Sequence, residues 1–460
     1  MVLGALGACL APEPVELRLD DARDALARRA DPATLEEVLA LVELPPTALA
    51  IPPAAERQHP GQPGFWMVRA LAWSPAVRAA RGEWRALRAE ATSAGAPAPI
   101  AIQVVDHELG GDDELVEAIG VLDLIGLLGL GPSRAERRLA HADAALALGR
   151  LELAVWDGWL AVERARLRHV AAGAREQILG ELAEAARGDL ERVAILERTG
   201  RLSLAESASA RAAVATIERR RSAWEESTLA ARATLALAAG VSGDEPELAL
   251  AQGLAREHVA AVTLPAELTG DAPLEPLDRY DRHPRLRAAW LRFALAEAAI
   301  RRAAASAWPG LALGPHVGYL DEAQIGAVLR LAVPFPSSWR GRLAAAVERR
   351  DAAIDAFEDQ LAALTIAERE ARARHRTIAR RASGATPTAL AAAHAEWRAA
   401  RTAFRAGRGG LLQWMVALEQ LAARSTWSID EAEALALATM AIIEARGPAA
   451  SPFAPPAVSQ

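Results

Sequence analysis

The residues that could carry out chemistry are few and are scattered along the chain. The sequence has nine histidines, one cysteine and no lysine, so all 52 of its basic residues are arginines. Without lysine, the chain cannot contain a phosphate-binding loop or a Schiff-base site that uses its amine. A single cysteine excludes a disulfide framework and CxxC-type zinc or redox sites. No two histidines have metal-ligand spacing, and neither an HExxH nor a GxSxG motif occurs. We therefore expect no catalytic residues, no metal site and no cofactor.

The composition favours long helices and argues against a nucleic-acid partner. The 460 residues are 52% hydrophobic, 24% charged and only 4% aromatic, with a formal net charge of −7. Nucleic-acid-binding surfaces are normally basic, so a negative net charge argues against a nucleic-acid partner. Alanine, leucine, glutamate and arginine form helices readily and are abundant here. No apolar run reaches the length of about 18 residues that a transmembrane helix needs.

Cys9 is the one residue for which we expect a covalent modification. The segment Leu6-Gly7-Ala8-Cys9 resembles a bacterial lipobox, in which small residues precede a cysteine that becomes lipidated. Residues 1–9 are therefore interpreted as a signal and lipobox; the alternative is a buried or incidental cysteine. Residues 10–64 are interpreted as an N-terminal extension with a proline-rich linker.

The most informative feature is an internal duplication. Four short segments recur in one order at offsets between 204 and 209 residues: Ser74–Ala80 at His283–Ala289, Ile119-Gly120 at Ile325-Gly326, Arg138–Ala140 at Arg342–Ala344, and Arg198–Arg201 at Arg405–Arg408. This period is far longer than that of a solenoid repeat, so the chain is expected to hold two copies of one unit. We assign the copies to residues 65–242 and 283–447, joined by a linker at 243–282 and followed by a disordered tail at 448–460.

Each half is predicted to contain a helix, a β-hairpin, a long helix and a return helix. Proline at the first helical position starts a helix at Pro75 and another at Pro284. Two extended stretches separated by turn residues follow in each half, at 100–109 and 115–130, and at 311–319 and 325–335. A proline-free segment then runs from Ser133 to Arg198 with leucines at heptad spacing.

The long helices are predicted to end at glycine-containing turns. Gly200 and Gly407 mark these turns, and the return helices run to Gly240 and Gly447. In the second long helix, the segment Ser383-Gly-Ala-Thr-Pro387 is predicted to break or kink the helix, because proline lacks a backbone donor and clashes with the preceding turn.

Neither the helices nor the hairpins can be stable alone. A helix of about 100 Å cannot bury its apolar stripe inside a compact domain, so it must pack along other long helices. A two-stranded hairpin is marginal in water, so the four strands need more strands, most economically from other copies of the chain. The last strand alternates between an apolar and a small or polar face: Ile325, Ala327, Leu329 and Leu331 against Gly326, Val328 and Arg330. Such alternation is typical of a lipid-embedded barrel strand, and the alternative is the edge of a soluble sandwich.

The ordered duplication resembles the TolC-like outer-membrane efflux protein family. The segment Leu331–Arg342 is similar to the family's junction between strand and helix, and Arg198–Leu204 and Arg405–Leu412 are similar to its two periplasmic helical-hairpin tips. The resemblance spans roughly residues 65–447. It implies a mainly α fold with a small β part: a homotrimer in which four strands per chain close a 12-stranded β-barrel, continued by an α-barrel of long helices into the periplasm.

The resemblance also implies a function without enzymatic activity. The leading hypothesis is a lipid-anchored outer-membrane channel, a passive conduit for small molecules that works with a periplasmic adaptor protein and an inner-membrane pump. The alternative is a divergent, non-conducting periplasmic helical scaffold or interaction protein of the same fold.

Two groups of site residues follow from the resemblance. The tip residues Gly200, Arg201, Gly407 and Arg408 are expected to dock the adaptor; the alternative is that the glycines only cap helices and the arginines neutralise helix carbonyl ends. Family members often carry acidic residues about one turn after the second tip, where they narrow the tunnel. Gln413 and Val416 occupy these aperture positions here, so an anionic ring is not expected. Tyr280 and Tyr319 are the only tyrosines, which predicts a sparse aromatic girdle.

Overall fold

The chain folds into nine described helices and four strands. A computed structural model describes residues 19–29, 32–41, 62–94, 101–109, 113–123, 132–242, 283–308, 310–319, 323–332 and 335–447. The helices are α1 (Leu19–Arg28), α2 (Pro32–Leu41), α3 (Pro63–Trp73), α4 (Pro75–Ser93), α5 (Pro132–Arg198), α6 (Leu204–Ala239), α7 (Pro284–Ala305), α8 (Pro336–Arg405) and α9 (Leu411–Arg446). The strands are β1 (Ala101–Leu109), β2 (Asp113–Asp123), β3 (Gly310–Tyr319) and β4 (Ala323–Ala332).

The order of elements repeats as the sequence predicts. The run α4, β1, β2, α5, α6 recurs as α7, β3, β4, α8, α9. The long helices α5 and α8 contain 67 and 70 residues, and each return helix contains 36 residues. Most predicted boundaries lie within three residues of those observed. The second strand was expected to reach Leu130, whereas β2 ends at Asp123 and residues 124–131 lie outside the described part of the chain.

All four strands form one antiparallel sheet in the order β1-β2-β3-β4. The pairing of β2 with β3 joins the two hairpins, with Val116 opposite Tyr319 and Asp123 opposite Ala312. Residues opposite each other across an antiparallel pair share a face, so the register brings the apolar positions of both hairpins to one side. One row across the sheet contains Ile102, Gly120, Pro315 and Ala327. One face of the sheet therefore collects most of its apolar positions.

The long helices pack along one another around α5. Helices α3, α4, α6, α7 and α9 all contact α5, which explains why its middle is buried on almost every side. One apolar cluster joins α3 and α4 to α5 and α9 through residues such as Leu71, Trp156 and Met440. A second cluster lies nearer the far ends of the helices and includes Leu179, Ile217, Trp397 and Trp414. Among the described helices, none combines the length and apolarity that crossing a membrane would require.

Of the break or kink predicted at Pro387, the break is wrong. Helix α8 runs without interruption from Pro336 to Arg405. A proline inside a helix costs about 3 kcal/mol, because one hydrogen bond is lost and the ring crowds the preceding turn. Buried residues on both sides of this position, Ile378 before it and Ala393 and Trp397 after it, hold the helix by packing. Tertiary contacts therefore outweigh the local preference for a break.

The return helix of the first half ends against the junction between α3 and α4. Gly240 caps α6 in the left-handed region at φ 72°, and a Cβ built on it would lie 2.4 Å from the carbonyl oxygen of Trp73. The equivalent cap of α9, Gly447, lies against His283, the residue that caps α7. Both positions bring the end of a return helix to the start of its own half, which only a glycine allows.

Candidate functional site at the paired hairpin tips

The two tips have the same backbone geometry. Gly200 and Gly407 both adopt φ 70°, which L side chains rarely adopt. In the first tip the Arg201 amide donates to the Leu196 carbonyl at 2.8 Å, and in the second the Arg408 amide donates to the Ala403 carbonyl at 2.9 Å. These bonds satisfy the carbonyls left free at the end of each long helix. The glycines therefore act as helix caps.

Each tip exposes an arginine beside a leucine. Arg201 and Arg408 are exposed, as the sequence suggests for residues at a docking surface. Leu204, the first residue of α6, is 77% exposed, and Leu412, the second residue of α9, is 70% exposed. A large, exposed apolar side chain near the start of each return helix, beside the exposed arginine of the same tip, forms a paired surface of charge and apolar area, here called the tip surface. Its leucines were not predicted from the sequence.

The first return helix begins with a complete capping box. The Ser203 hydroxyl accepts a hydrogen bond from the Glu206 amide, and the Glu206 carboxylate accepts one from the Ser203 amide at 2.8 Å. This backbone bond, followed by the bond to the Ser203 hydroxyl, holds the pKa of Glu206 below its usual range. The turn between α5 and α6 is thereby fixed at both of its ends.

A buried carboxylate ties the two hairpins together just behind the tips. Asp189 of α5 is fully buried, and it accepts hydrogen bonds from Arg401 Nε at 2.8 Å, Arg405 Nε at 2.6 Å and Trp414 Nε1 at 3.1 Å. These three donors belong to the second hairpin, and Asp189 belongs to the first. We call these four residues the Asp189 node. It fixes the distance between the hairpins at the end where an aperture is expected.

Trp414 lies inside the bundle and does not face an aperture. Its side chain is 0% exposed and contacts the rings of Trp397 and Phe404, with centroids 5.8 and 5.7 Å away. The expected aperture residues differ from it. Gln413 is exposed and Val416 is 42% exposed, and both lie on the outward side of α9 together with Leu412. The two residues predicted to line an aperture are therefore exposed in the single chain.

The Asp189 node was missed by sequence reasoning, although a signal for it exists. Asp189 lies on the buried stripe of α5 that includes Ala186 and Val193, so it is an acidic residue at an apolar position. Arg401 and Arg405 are four residues apart and therefore lie on one face of α8. Their pairing across more than 200 residues could not be read from the sequence.

A shallow groove of about 630 Å³ lies on α8 beside the second tip. It is lined by Ala395, Ala399 and Ala403, which follow one another at one-turn spacing, and by Arg398 and Arg408. Small residues at this spacing let another helix approach closely. The groove extends the tip surface along the side of the second hairpin.

The remaining sequence expectations concern metals and Cys9. In the part of the chain that the structure describes, no three His, Cys, Asp or Glu residues are grouped to hold a metal ion. Cys9, the expected lipidation site, lies outside the described residues, as do the linker at 243–282 and the tail at 448–460.

Comparisons with known proteins show which fold this is. Neither a family profile nor a curated sequence matches the chain. Solved structures do match. The outer membrane protein VceC of Vibrio cholerae superposes with a TM-score of 0.64 at 17% identity, covering 84% of this chain and 96% of that one. The CmeC outer membrane channel of Campylobacter jejuni gives 0.66 at 13% identity, covering 84% and 85%. The open-state MtrE outer membrane channel of Neisseria gonorrhoeae gives 0.63 at 16% identity, covering 86% and 94%.

These likenesses define the class of fold. The chain has the fold of the TolC-like outer membrane factors, as the sequence resemblance predicts. Because the likeness extends over more than four fifths of the chain, it includes residues of both duplicated halves.

Proposed function

We propose that this chain is the outer-membrane channel component of a tripartite efflux or export system. The observation that carries the proposal is the fold, which is shared over at least 84% of the chain with proteins described as outer membrane channels. Conduction through such a duct requires a closed wall and an aqueous lumen, and no chemistry. The absence of a catalytic arrangement in the sequence is compatible with this role.

The two faces of the sheet support a location in lipid. Leu329 and Leu331 of β4 are 65% and 60% exposed, and Leu313, which lies opposite Leu329, is 43% exposed. On the other face, the register places His316 beside Ile119, and Arg330 opposite Ala312. Exposed leucines in one row, with a histidine and an arginine at register positions of the other face, suit strands between lipid and water. We propose that four strands from each of three copies close a 12-stranded barrel.

Exposed apolar residues on two helices support a homotrimer. On α6, Leu229 and Leu237 are 60% and 74% exposed, and on α8, Ile354 and Ile366 are 38% and 55% exposed. These helices belong to different halves, so one copy offers α6 where its neighbour offers α8. An interface between two different surfaces closes into a ring when the rotation between copies allows it. A trimer would bury these side chains in the wall of an α-barrel.

The tip surface is the proposed docking site for a periplasmic adaptor, through which an inner-membrane pump would deliver its cargo. An adaptor with helical hairpins could bind the exposed leucines with its apolar residues and the arginines with its carboxylates or helix carbonyl ends. The groove beside Arg408 offers room for a helix. The Asp189 node would then hold the aperture narrow until docking separates the hairpins.

Conductance and mass measurements together test the channel. Full-length protein extracted in detergent should have the mass of three chains and should form pores in planar lipid bilayers. A variant with charged residues in the apolar face, Leu329→Glu with Leu331→Glu, should form no pores, whereas Ile195→Glu, an exposed position on α5, should still form them. A monomer without conductance would refute the channel. A trimer that never conducts would favour the scaffold alternative.

Lipidation of Cys9 is a separate proposal. Mass spectrometry of the mature N-terminus should show an acylated cysteine, and Cys9→Ser should abolish the added mass. An unmodified Cys9 in membrane-extracted protein would show that the resemblance to a lipobox is accidental.

A further inference from the structure

Helix α7 packs between the two long helices, whereas its duplicated counterpart α4 does not. Helix α7 contacts both α5 and α8. Helix α4 contacts α5 and α3, and among the described residues it makes no comparable contact with α8. One side of α4 is therefore open in the single chain. Exposed residues at spacings of three and four mark this side: Pro75, Ala79, Gly82, Ala86 and Ala89.

The contact between α5 and α7 shows which side chains fill the equivalent side of α7. Arg287 Nε pairs with Glu152 at 3.1 Å, and the Glu152 side chain is only 4% exposed. Two more ion pairs join the same helices, Arg285 with Asp157 at 3.5 Å and Arg302 with Glu136 at 3.2 Å. In every pair α7 supplies the arginine and the long helix supplies the carboxylate.

One of these pairs has counterparts on surfaces that are open in the single chain. Arg78 of α4 lies 209 residues before Arg287, and Asp359 of α8 lies 207 residues after Glu152. Both offsets fall within the 204 to 209 residues that separate the duplicated segments. Arg78 and Asp359 are exposed. The other two arginines have no counterpart, since α4 has alanine and serine at the same offset. The duplication thus matches Arg78 of one copy with Asp359 of another.

The open side of α4 is bordered by arginines. Arg85 and Arg88 lie seven and ten residues after Arg78 and are exposed, so the three share one face of the helix. Their charges repel a fourth: burial first, and then Arg85 and Arg78, lower the pKa of the neighbouring Arg81. Negative charge beside this face would relieve the repulsion.

The matching side of α8 carries three carboxylates. Glu348, Asp355 and Asp359 are exposed, and spacings of seven and four residues place them on one face. They extend over about 17 Å of helix, and the three arginines of α4 extend over about 15 Å. Helix α4 runs toward the end of the sheet from which α8 leaves. The two helices would therefore meet antiparallel and present their charges in the same order.

The full charge count of the two surfaces has opposite signs. Helix α4 contains four arginines and two glutamates, whereas residues 345–360 of α8 contain five acidic residues and two arginines. Several of these groups have partners within the chain: Glu83 with Arg150, Arg350 with Asp351, and Arg88 over the ring of Trp84. Such contacts do not reverse either sign, because α4 has a net charge of +2 and the α8 segment one of −3.

We propose that these two surfaces form a charged seam between neighbouring copies of the chain, in which the arginines of one copy face the carboxylates of the next: Arg78, Arg85 and Arg88 against Asp359, Asp355 and Glu348. The seam gives α4 the second long helix that α7 already has. Complementary charges mainly determine which partner binds and in which register, because a mismatch places like charges side by side. The seam therefore lets this chain assemble with its own copies and excludes chains of the same fold that have other charges there.

The inference rests on the proposed homotrimer, and charge reversal separates the two. Native mass spectrometry would measure the trimer fraction of the full-length protein in detergent. Reversing α4 alone (Arg78→Glu, Arg85→Glu, Arg88→Glu) or α8 alone (Glu348→Arg, Asp355→Arg, Asp359→Arg) should lower this fraction at least fivefold. Combining all six substitutions in one chain should restore at least half of it. The control reverses exposed arginines on α5, which contacts α4 and α7 of its own chain, and should change the fraction less than twofold: Arg134→Glu, Arg138→Glu and Arg168→Glu.

Coexpression tests the choice of partner. The native chain and the variant with all six substitutions, carrying different affinity tags, should form separate trimers. Mixed trimers should make up less than a tenth of the total, whereas random assembly of equal amounts would give mostly mixed trimers.

The outcomes distinguish the seam from the channel. A native chain that forms no trimer would overturn the proposed channel together with the seam. A native trimer, with variants of either surface that are equally trimeric, would overturn only the seam. A variant with all six substitutions that stays monomeric, or that mixes freely with the native chain, would also overturn the seam.

Discussion

Replacing Asp189 by asparagine should loosen the connection between the hairpins. The asparagine would keep the shape of the side chain but would lack the negative charge that accepts hydrogen bonds from Arg401, Arg405 and Trp414. Breaking a buried ion pair from one side costs about 3–5 kcal/mol. Arg401 and Arg405 are 28% and 52% exposed, so water would recover part of their solvation and place the cost near the lower value, about 3 kcal/mol.

Amide hydrogen exchange measures this change where it occurs. A loss of about 3 kcal/mol should speed exchange roughly 100-fold in the segments around Asp189 and Trp414, because each 1.4 kcal/mol is a factor of ten. The control is Glu218→Gln, which removes an exposed ion pair with Arg187 whose side chains are 41% and 55% exposed. It should change exchange by less than about fivefold. Trp414→Phe should give an intermediate effect, since it removes one neutral donor. Equal exchange in Asp189→Asn and Glu218→Gln would refute the reasoning.

Three further predictions concern stability. Gly407→Ala should destabilise the second tip by about 1–2 kcal/mol, because alanine would be forced to φ 70°. Gly341→Ala, in an open helical position on α8, should stabilise the protein by about 0.5–1 kcal/mol. A shift of the two midpoints of thermal unfolding in the same direction would contradict this. Burial lowers the pKa of His283 to about 4, so the folded state favours the neutral imidazole. The contribution of His283 to the free energy of unfolding should therefore be complete above pH 6.5 and should fall by about 3 kcal/mol as the pH drops to 4. In acid unfolding curves, His283→Asn should lessen this loss. Ser203→Ala should accelerate exchange about fivefold in the first turn of α6 and leave α9 unchanged, and equal acceleration in both helices would argue against a local cap.

The sequence predicts the parts of the fold that depend on neighbouring residues. Proline at the first helical position, leucines at heptad spacing and glycine at the turns are local signals, and α5, α7 and both tips begin or end close to where these signals lie. The break expected at Pro387 fails because its cost is local while the packing of Ile378 and Trp397 that offsets it is not. Local signals thus predict where helices and strands begin. They do not predict where tertiary contacts outweigh a local preference, as at Pro387.

In the candidate site too, residues that belong to local motifs were predicted and residues with distant partners were missed. Gly200 and Gly407 were predicted because each repeats a local motif, and Arg201 and Arg408 are exposed as expected. Asp189 was missed because its partners lie more than 200 residues away in the chain. The pairing of β2 with β3 was also out of reach, since it joins strands that belong to different halves of the chain.

The even number of strands in the described sheet bears on whether a single chain could be stable in a membrane without its partners. Strand β1 and strand β4 are the edges of the described sheet, and they run in opposite directions. In the trimer proposed above, β4 of one copy would meet β1 of the next, and that new pair would be antiparallel, like every pair inside the described sheet. In lipid, an open edge would leave a row of backbone donors and acceptors without partners, at several kcal/mol each. Insertion and assembly would then be a single event, so a cell should contain no lasting pool of membrane-inserted single chains. A subunit that cannot pair through one of its edge strands should prevent intact subunits from completing the barrel.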